Sequence, residues 1–457
     1  MAILPLATDA AVWRPNGLFR LLNGKLTPSP AVASVPQKIK RGRSGGSFVD
    51  SFSSLFCSLL RILHLPKWYP HRYDDQDGDF VARHVATIAA AGPGAQSAVV
   101  FATVARGPLR GLTELDADLG GPVPTWRYYY RARLTGLGPL DRSLKLLLWL
   151  YCALRGVRAV RRHWGGARPS LVHVHVLLRT GLLAWALRLV HGLPYIITEH
   201  WTLYLPQRRA ALGGLRRVLS RLVARRAGAL HTVSKALAEA MAEVGIQNSY
   251  TQVIANVVDT TLFRPAPGAP APDAARRLLH VSAFHDAVKN LSGVLRVVAR
   301  LRPAWPGLQL RVAGYGPDEQ RLRHYAAELG LLADGTVAFL GKLPHPAVAA
   351  EMQQATALVS FSRAETFGCV LLEARACGRP VVATRAGSVP ELFEPAGVFG
   401  LLVEPDDEAA LAAALAQVLG AAGRFAPACL QADAAARSGA AAVGTAFWQL
   451  YGRVLGS

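Results

Sequence analysis

Residues 360–392 read SFSRAETFGCVLLEARACGRPVVATRAGSVPEL. The apolar run ALVSFS leads into a short polar loop that carries Glu365. Gly368 then opens the helix-like run CVLLEARACG, which carries Glu373, and a second apolar run, RPVVAT, follows. Strand, helix and strand in this order predict a parallel sheet with a crossover helix. Ligands of such sheets bind outside the carboxyl ends of the strands, which is where Glu365 falls. A helix starting near Gly368 turns its unpaired backbone N–H groups and its positive dipole end toward the same edge, a ready phosphate site. Eight helical residues rise ~12 Å, whereas the carboxyls of a glycosidase pair stand only ~5–9.5 Å apart across one bond. The two glutamates therefore suit opposite ends of one ligand: a sugar hydroxyl at Glu365, a ribose at Glu373, and phosphates between them.

The same alternation extends in both directions. Downstream of residue 276, RRLLHVSAF, LQLRVAGYG, TVAFLGKL and ALVSFS read as strands separated by amphipathic helices. Upstream, RILHLPKWYP, SAVVFATV, PSLVHVHV and PYIITEH do the same, and Ser234 stands as an N-cap in HTVSKALAEAMAEVG. Two such runs predict an α/β fold of two facing Rossmann-like domains with a cleft between them. The expected divisions are an N-terminal extension over 1–58 without regular structure, a first domain over 60–255, a second over 256–430, and a C-terminal helix over 431–457 that crosses back to the first domain. The Pro- and Ala-rich stretch NVVDTTLFRPAPGAPAPDAA reads as the linker.

The chain has 457 residues, is 51% apolar and carries a formal charge of +21. Such an excess attracts an anionic partner. No nucleic-acid module is present, so a phosphorylated substrate or a lipid surface is the expected one, and no nucleic acid. The five cysteines form no CxxC pair and fit a cytoplasmic setting. No run reaches the ~18 apolar residues of a membrane span. The stretch from Arg208 to Arg226 instead places Arg217, Arg221 and Arg225 on one helix face, with Leu215, Val218, Leu219 and Leu222 elsewhere on the wheel. That pattern suits a protein lying peripherally on an anionic membrane surface, at its inner face.

The motif E-TFG-VLLEA-ACG-PVVAT-AGSVPEL resembles the E-x7-E signature of the family 4 retaining glycosyltransferases, which have the GT-B fold. Further likeness lies in IANVVDTTLFRP, HTVSKAL, RVAGYGPDEQRL, LVHVHV, PYIITEHW and FGLLVEPDDEAALAAAL, and spans roughly residues 61–457. The stretch WYPHRYDDQDGDFVARH looks like a bacterial subgroup in which a WYP run and a single Gly78 replace a double-glycine loop. The resemblance implies transfer of a hexose from a UDP- or GDP-sugar to a sugar or lipid-linked acceptor in polysaccharide assembly, with no cofactor. It implies that Glu365 holds the donor sugar, that Phe367, Gly368 and Cys369 offer backbone N–H groups, and that Glu373 binds the ribose. Lys289 in HDAVKNL would neutralise the diphosphate, and Gly314 lies in the glycine loop on the donor side. The family's usual Arg, six residues before that Lys, is here Ala283, so His285 or an Arg of the other domain would have to substitute.

On the acceptor side the resemblance points to His200, as an orienting group or as a proton acceptor titrating near working pH. His173 and His175 alternate on one strand and so share a face, and His175 is nearer its end. A metal set of His173, His175 and His200 is poor on spacing alone. Asp77–Asp79 (DGD) reads as a loop feature, with Gly78 allowing close approach to the donor. Two rivals use the same fold: a sugar-nucleotide epimerase or pyridoxal-phosphate phosphorylase, and a non-catalytic nucleotide-sugar-binding module. An oxidoreductase is disfavoured because the first loop has no GxGxxG.

Overall fold

The computed structural model describes residues 60–266 and 276–456, together with a short antiparallel pair formed by β1 (Phe19–Leu22) and β2 (Lys25–Pro28). That pair lies where an irregular extension is expected. The rest of residues 1–58 lies outside the described residues, as does part of the expected linker.

Two sheets organise the body. The first has eight strands in the order β10 (Thr251–Val253), β9 (Ala229–Thr232), β8 (Tyr195–Glu199), β7 (Leu171–His175), β3 (Arg61–Pro66), β4 (Gln96–Val104), β6 (Thr125–Tyr130) and β5 (Thr113–Asp118). All its pairings are parallel except that of β5 with β6. The second has six parallel strands in the order β13 (Val337–Gly341), β12 (Gln309–Tyr315), β11 (Arg277–Ala283), β14 (Ala357–Ser360), β15 (Val381–Thr384) and β16 (Gly400–Val403). Both are Rossmann-like layers covered by helices. Strands β7, β8 and β9 are buried at every residue, as strands covered on both faces are, and the His, Thr and Glu side chains within them are buried with the rest.

The edge strand β5 was not expected. Its sequence, TELDAD, is polar and largely solvent-facing, so it carries no apolar signal and owes its place to pairing with the buried TWRYYY of β6. The last helix, Ala440–Leu455, buries Val443, Gly444, Phe447, Leu450 and Tyr451, a stripe of helical period. It packs on the first-domain helix Asp79–Ala91, where the Trp448 indole N–H donates to the Ile88 carbonyl at 3.0 Å. Gly444 permits the approach, since a Cβ there would lie 2.7 Å from Ala91 Cβ.

Candidate active site

The loop after β14 is pinned before it delivers Glu365. The Arg363 N–H donates to the Val288 carbonyl at 2.7 Å, and Ser388 N–H to the Glu365 carbonyl at 3.2 Å. Lys289 ends the short turn Asp286–Lys289 after β11. The two loops bring Lys289 Nζ to 2.6 Å from Glu365 Oε2. Gly368 caps the helix Cys369–Ala376 with φ 85°, a conformation that glycine adopts without strain. In its first turn the N–H groups of Cys369 and Val370 have no intrahelical partner, whereas that of Leu371 donates to the Gly368 carbonyl at 3.0 Å. Phe367 is buried behind the loop. Burial pushes the Cys369 thiol up to about 12, so what Cys369 presents is its backbone.

Glu373 lies inside the same helix, buried, and its Oε1 accepts from Arg83 Nη1 at 2.8 Å. Arg83 comes from the first domain. Its Nη2 donates to Asp79 Oδ2 at 2.9 Å, and that oxygen lies 3.1 Å from His345 Nε2 on the second domain. A chain of alternating charge, Glu373–Arg83–Asp79–His345, thus crosses the cleft twice. The Asp79 hydrogen bond holds His345 above the usual histidine value. Burial alone would raise Asp79, but His345 and Arg83 together bring it below the carboxylate norm. Further crossings join Tyr315 Oη to Asp74 at 2.9 Å, Lys342 Nζ to Asp74 at 2.9 Å, and Gln76 Nε2 to the Leu343 carbonyl at 2.8 Å.

These groups border a cavity of about 280 Å³ lined by Arg83, Ala283, Gly314, Tyr315, Leu343 and Glu373, close to the lower end of small-molecule sites at ~300 Å³. Gly314, at φ 143°, packs against the β11 backbone, where a Cβ would meet the Ser282 carbonyl at 1.9 Å. Arg83 and Ala283 line the same cavity, so an arginine of the other domain does stand near the position where one is missing.

The first-domain wall is built on Glu199, His200 and Trp201. The buried Glu199 carboxylate accepts from the N–H groups of His200 at 2.9 Å, Trp201 at 2.8 Å and Leu177 at 2.9 Å, which fixes the chain where β8 ends. The His200 ring packs between Phe80 at 4.8 Å and His84 at 5.4 Å. Burial lowers its pKa well below the ordinary value, so His200 is a neutral imidazole and does not titrate near working pH as expected. His173 and His175 do share a face, with ring centroids 4.0 Å apart. His173 is fully engaged, Nδ1 with Tyr451 Oη at 2.7 Å and Nε2 with Thr198 Oγ1 at 2.6 Å. His175 Nε2 lies 3.3 Å from His64 Nδ1. Lys67 Nζ sits 3.3 Å above the Trp201 ring, its pKa pulled down to about 8 chiefly by burial.

Gly78 (φ 66°) lies against the chain's own backbone, where a Cβ would stand 2.4 Å from the Trp68 carbonyl carbon. One expectation changes. Asp79 is no loop residue. It begins the helix Asp79–Ala91 and belongs to the cleft-crossing chain. The sequence reading missed Arg83, His345 and His84. Their only local signal was polar character on otherwise ordinary helices.

Residues 275–421 match the family model described as glycosyl transferases group 1, and residues 81–257 match a glycosyl transferase 4-like domain. The 2-deoxystreptamine N-acetyl-D-glucosaminyltransferase of Streptomyces fradiae is 32% identical over 58% of this chain and 67% of its own length. The chain belongs to the group 1 glycosyltransferases. A D-inositol 3-phosphate glycosyltransferase of Segniliparus rotundus is 31% identical over 49% of this chain and 52% of its own length, so the chain matches half to two thirds of these curated relatives. A sucrose-phosphate synthase of Thermosynechococcus elongatus superposes with TM-score 0.68 at 22% identity, over 87% of this chain and 99% of that one. Anabaena HepE, solved in complex with UDP, superposes with TM-score 0.65 at 19% identity, over 86% and 99%. At those identities the likeness is one of fold, and the fold is GT-B. In this glycosyltransferase the matched segments fall one on each sheet. Arg83, His175 and His200 come from the first, and Lys289, Gly314, Glu365 and Glu373 from the second.

Proposed function

We propose that the chain transfers a hexose from a nucleoside-diphosphate sugar to an acceptor hydroxyl, with retention at the anomeric carbon. The observation that carries this reading is the Lys289–Glu365 pair beside the Gly368 helix start. Without donor, the two charges satisfy each other. A bound diphosphate would draw the ammonium of Lys289 toward its developing charge, where a fixed cation stabilises the leaving group. Glu365 would then accept from donor-sugar hydroxyls, and the first-turn N–H groups would meet a phosphate. Glu373 keeps Oε2 for a ribose hydroxyl while Oε1 stays with Arg83. His200 would orient the incoming hydroxyl from the acceptor side, and closure of the cleft would exclude water.

A UDP- or GDP-sugar donor and a sugar or lipid-linked acceptor of polysaccharide assembly complete the reading. A peripheral site on an anionic membrane suits such an acceptor. The helix Gly214–Arg226 leaves Leu215 and Val218 75% and 57% exposed beside Arg217, Arg225 and Arg226. Leu189 and Val190 lie exposed on the adjoining helix Thr180–His191, whose Arg188 bonds the Arg226 carbonyl. Arg221 leaves this face, because its Nε donates to the Val244 carbonyl at 2.8 Å. Among the described residues no helix is long and apolar enough to cross a membrane.

The test is incubation with a panel of UDP- and GDP-sugars, with and without candidate acceptors, followed by NMR of the anomeric configuration. Slow donor hydrolysis or transfer with retention, lost in Lys289→Met, is the expected result. An inverted product, or no turnover of any donor that binds, would overturn the proposal.

A further inference from the structure

We propose that His84, His175 and His200 form a binding site for one divalent transition-metal ion of the zinc class. Each ring offers a nitrogen within 4.8 Å of those offered by the other two, and all three residues are buried. These nitrogens are not consumed by the fold. His84 Nδ1, His175 Nδ1 and both nitrogens of His200 lack a well-formed hydrogen bond, although the Asn256 amide lies close to His200. Buried polar atoms without partners are costly, and three rings that each bring a nitrogen within 4.8 Å of the others point to something that pairs them.

The tautomers favour a cation. His84 Nε2 is 3.2 Å from the Ala255 carbonyl, which can only accept, so Nε2 holds the proton and Nδ1 presents a lone pair. An imidazole whose second nitrogen donates to a backbone carbonyl is the usual posture of a metal-ligating histidine, since that bond fixes the ring and raises its basicity. His64 Nδ1 stands 3.3 Å from His175 Nε2, and when it accepts from that nitrogen His175 Nδ1 presents a lone pair too. A second grouping, His64, His173 and His175, also meets the distance condition, but both nitrogens of His173 are committed to Tyr451 and Thr198.

Imidazole ligands without thiolate or a hard-oxygen cage suit zinc, and copper or nickel as competitors. Zinc–nitrogen bonds of ~2.0–2.1 Å place tetrahedral ligands about 3.3 Å apart, so modest ring rotations would close the set. Three protein ligands leave a fourth position for water. The buried Asn256 amide stands beside the His200 ring. The proposal stands on the rings alone and not on the transferase reading.

The test uses the full chain without a polyhistidine tag, stripped with chelator and titrated with Zn2+ and then Co2+. A single equivalent bound at micromolar metal, with the intense visible Co2+ bands of a low-coordinate nitrogen site, is expected. His84→Gln keeps a donor for the Ala255 carbonyl and removes the Nδ1 ligand, so it should weaken binding at least ~100-fold. His280→Gln, in the second domain, should leave binding unchanged. His175→Asn is the second variant should His84→Gln fail to fold, and the parent's Co2+ spectrum decides without any variant. Absence of stoichiometric metal binding by the parent overturns the site. So does a folded His84→Gln or His175→Asn that binds with unchanged affinity and spectrum.

Discussion

Replacing Arg83 with Met tests whether the cleft is latched by charge. The Arg83–Glu373 contact is 2.8 Å, and the two side chains are 19% and 8% exposed. An ion pair in open solvent contributes ~0–1 kcal/mol. Removing one partner of a buried pair costs ~3–5 kcal/mol, because the remaining charge stays desolvated. Arg83 also serves Asp79, but Asp79 keeps His345, so the orphan created by the substitution is Glu373. Partial exposure of Arg83 puts the expected loss near the lower end, ~3 kcal/mol, on a total that for most proteins is ~5–15 kcal/mol. Glu373→Gln on the Arg83→Met background removes the orphan charge and should restore much of the loss. The double-mutant cycle, read by urea unfolding with circular dichroism, should therefore give a coupling of ~2–3 kcal/mol. Both singles must be folded and share the parent's denaturant slope for the cycle to be read. A coupling below ~0.5 kcal/mol would mean a solvent-exposed pair and hence a cleft that is open in solution, and the latch would be refuted.

Three further outcomes are expected. Glu365→Ala should abolish most turnover while nucleoside diphosphate binding persists, whereas Glu373→Ala should weaken that binding; calorimetry showing both variants binding like the parent would reject the division of roles. The Asp79–His345 contact makes closure pH-dependent. His345 has a raised folded pKa, so its contribution is full below the unfolded value of 6.5 and fades as pH rises through the folded one; Asp79, with a lowered pKa, contributes above 3.8 and fades as pH falls through its folded value. Small-angle scattering should then show expansion as pH rises from 6.5 through the folded His345 value, an expansion that His345→Asn lacks, and compaction over that rise would contradict it. Reversing Arg217, Arg225 and Arg226 to Glu should reduce sedimentation with anionic vesicles by several kcal/mol, at about 1 kcal/mol per charge near the surface, and salt should mimic the effect. Equal pelleting with neutral and anionic vesicles would sink the membrane reading.

What could be read from the sequence divides along a physical line. The buried strands were legible because burial on both faces writes itself locally, as in LVHVH and YIITE. The position of Glu365 was legible because the loop that carries it follows directly on such a strand, β14. β5 was not, because an edge strand with a solvated face has no apolar code of its own. Arg221 looked solvent-facing on the helical wheel, yet the Val244 carbonyl, 23 residues on, draws it back. A wheel knows only its own helix.

The same limit explains the cleft. Arg83 and His84 are neighbours in one ordinary amphipathic helix, DFVARHVATIAAA. Arg83 reaches Glu373, 290 residues away, and His84 Nε2 reaches the Ala255 carbonyl, 171 residues away. Consecutive helical residues point about 100° apart, so one helix turns a cation to the donor domain and an imidazole to its own core. Neither role has a local period, and both follow from docking Asp79–Ala91 between the first sheet and the second domain. The helix therefore couples the two sites physically: a shift that breaks Arg83 from Glu373 must also move the His84 ring relative to His175 and His200. If both sites are as described, metal occupancy and cleft closure are linked, and the Arg83→Met substitution that loosens the latch should also change metal affinity, whereas Lys342→Met, which loosens the cleft at Asp74 without touching that helix, should leave it unchanged.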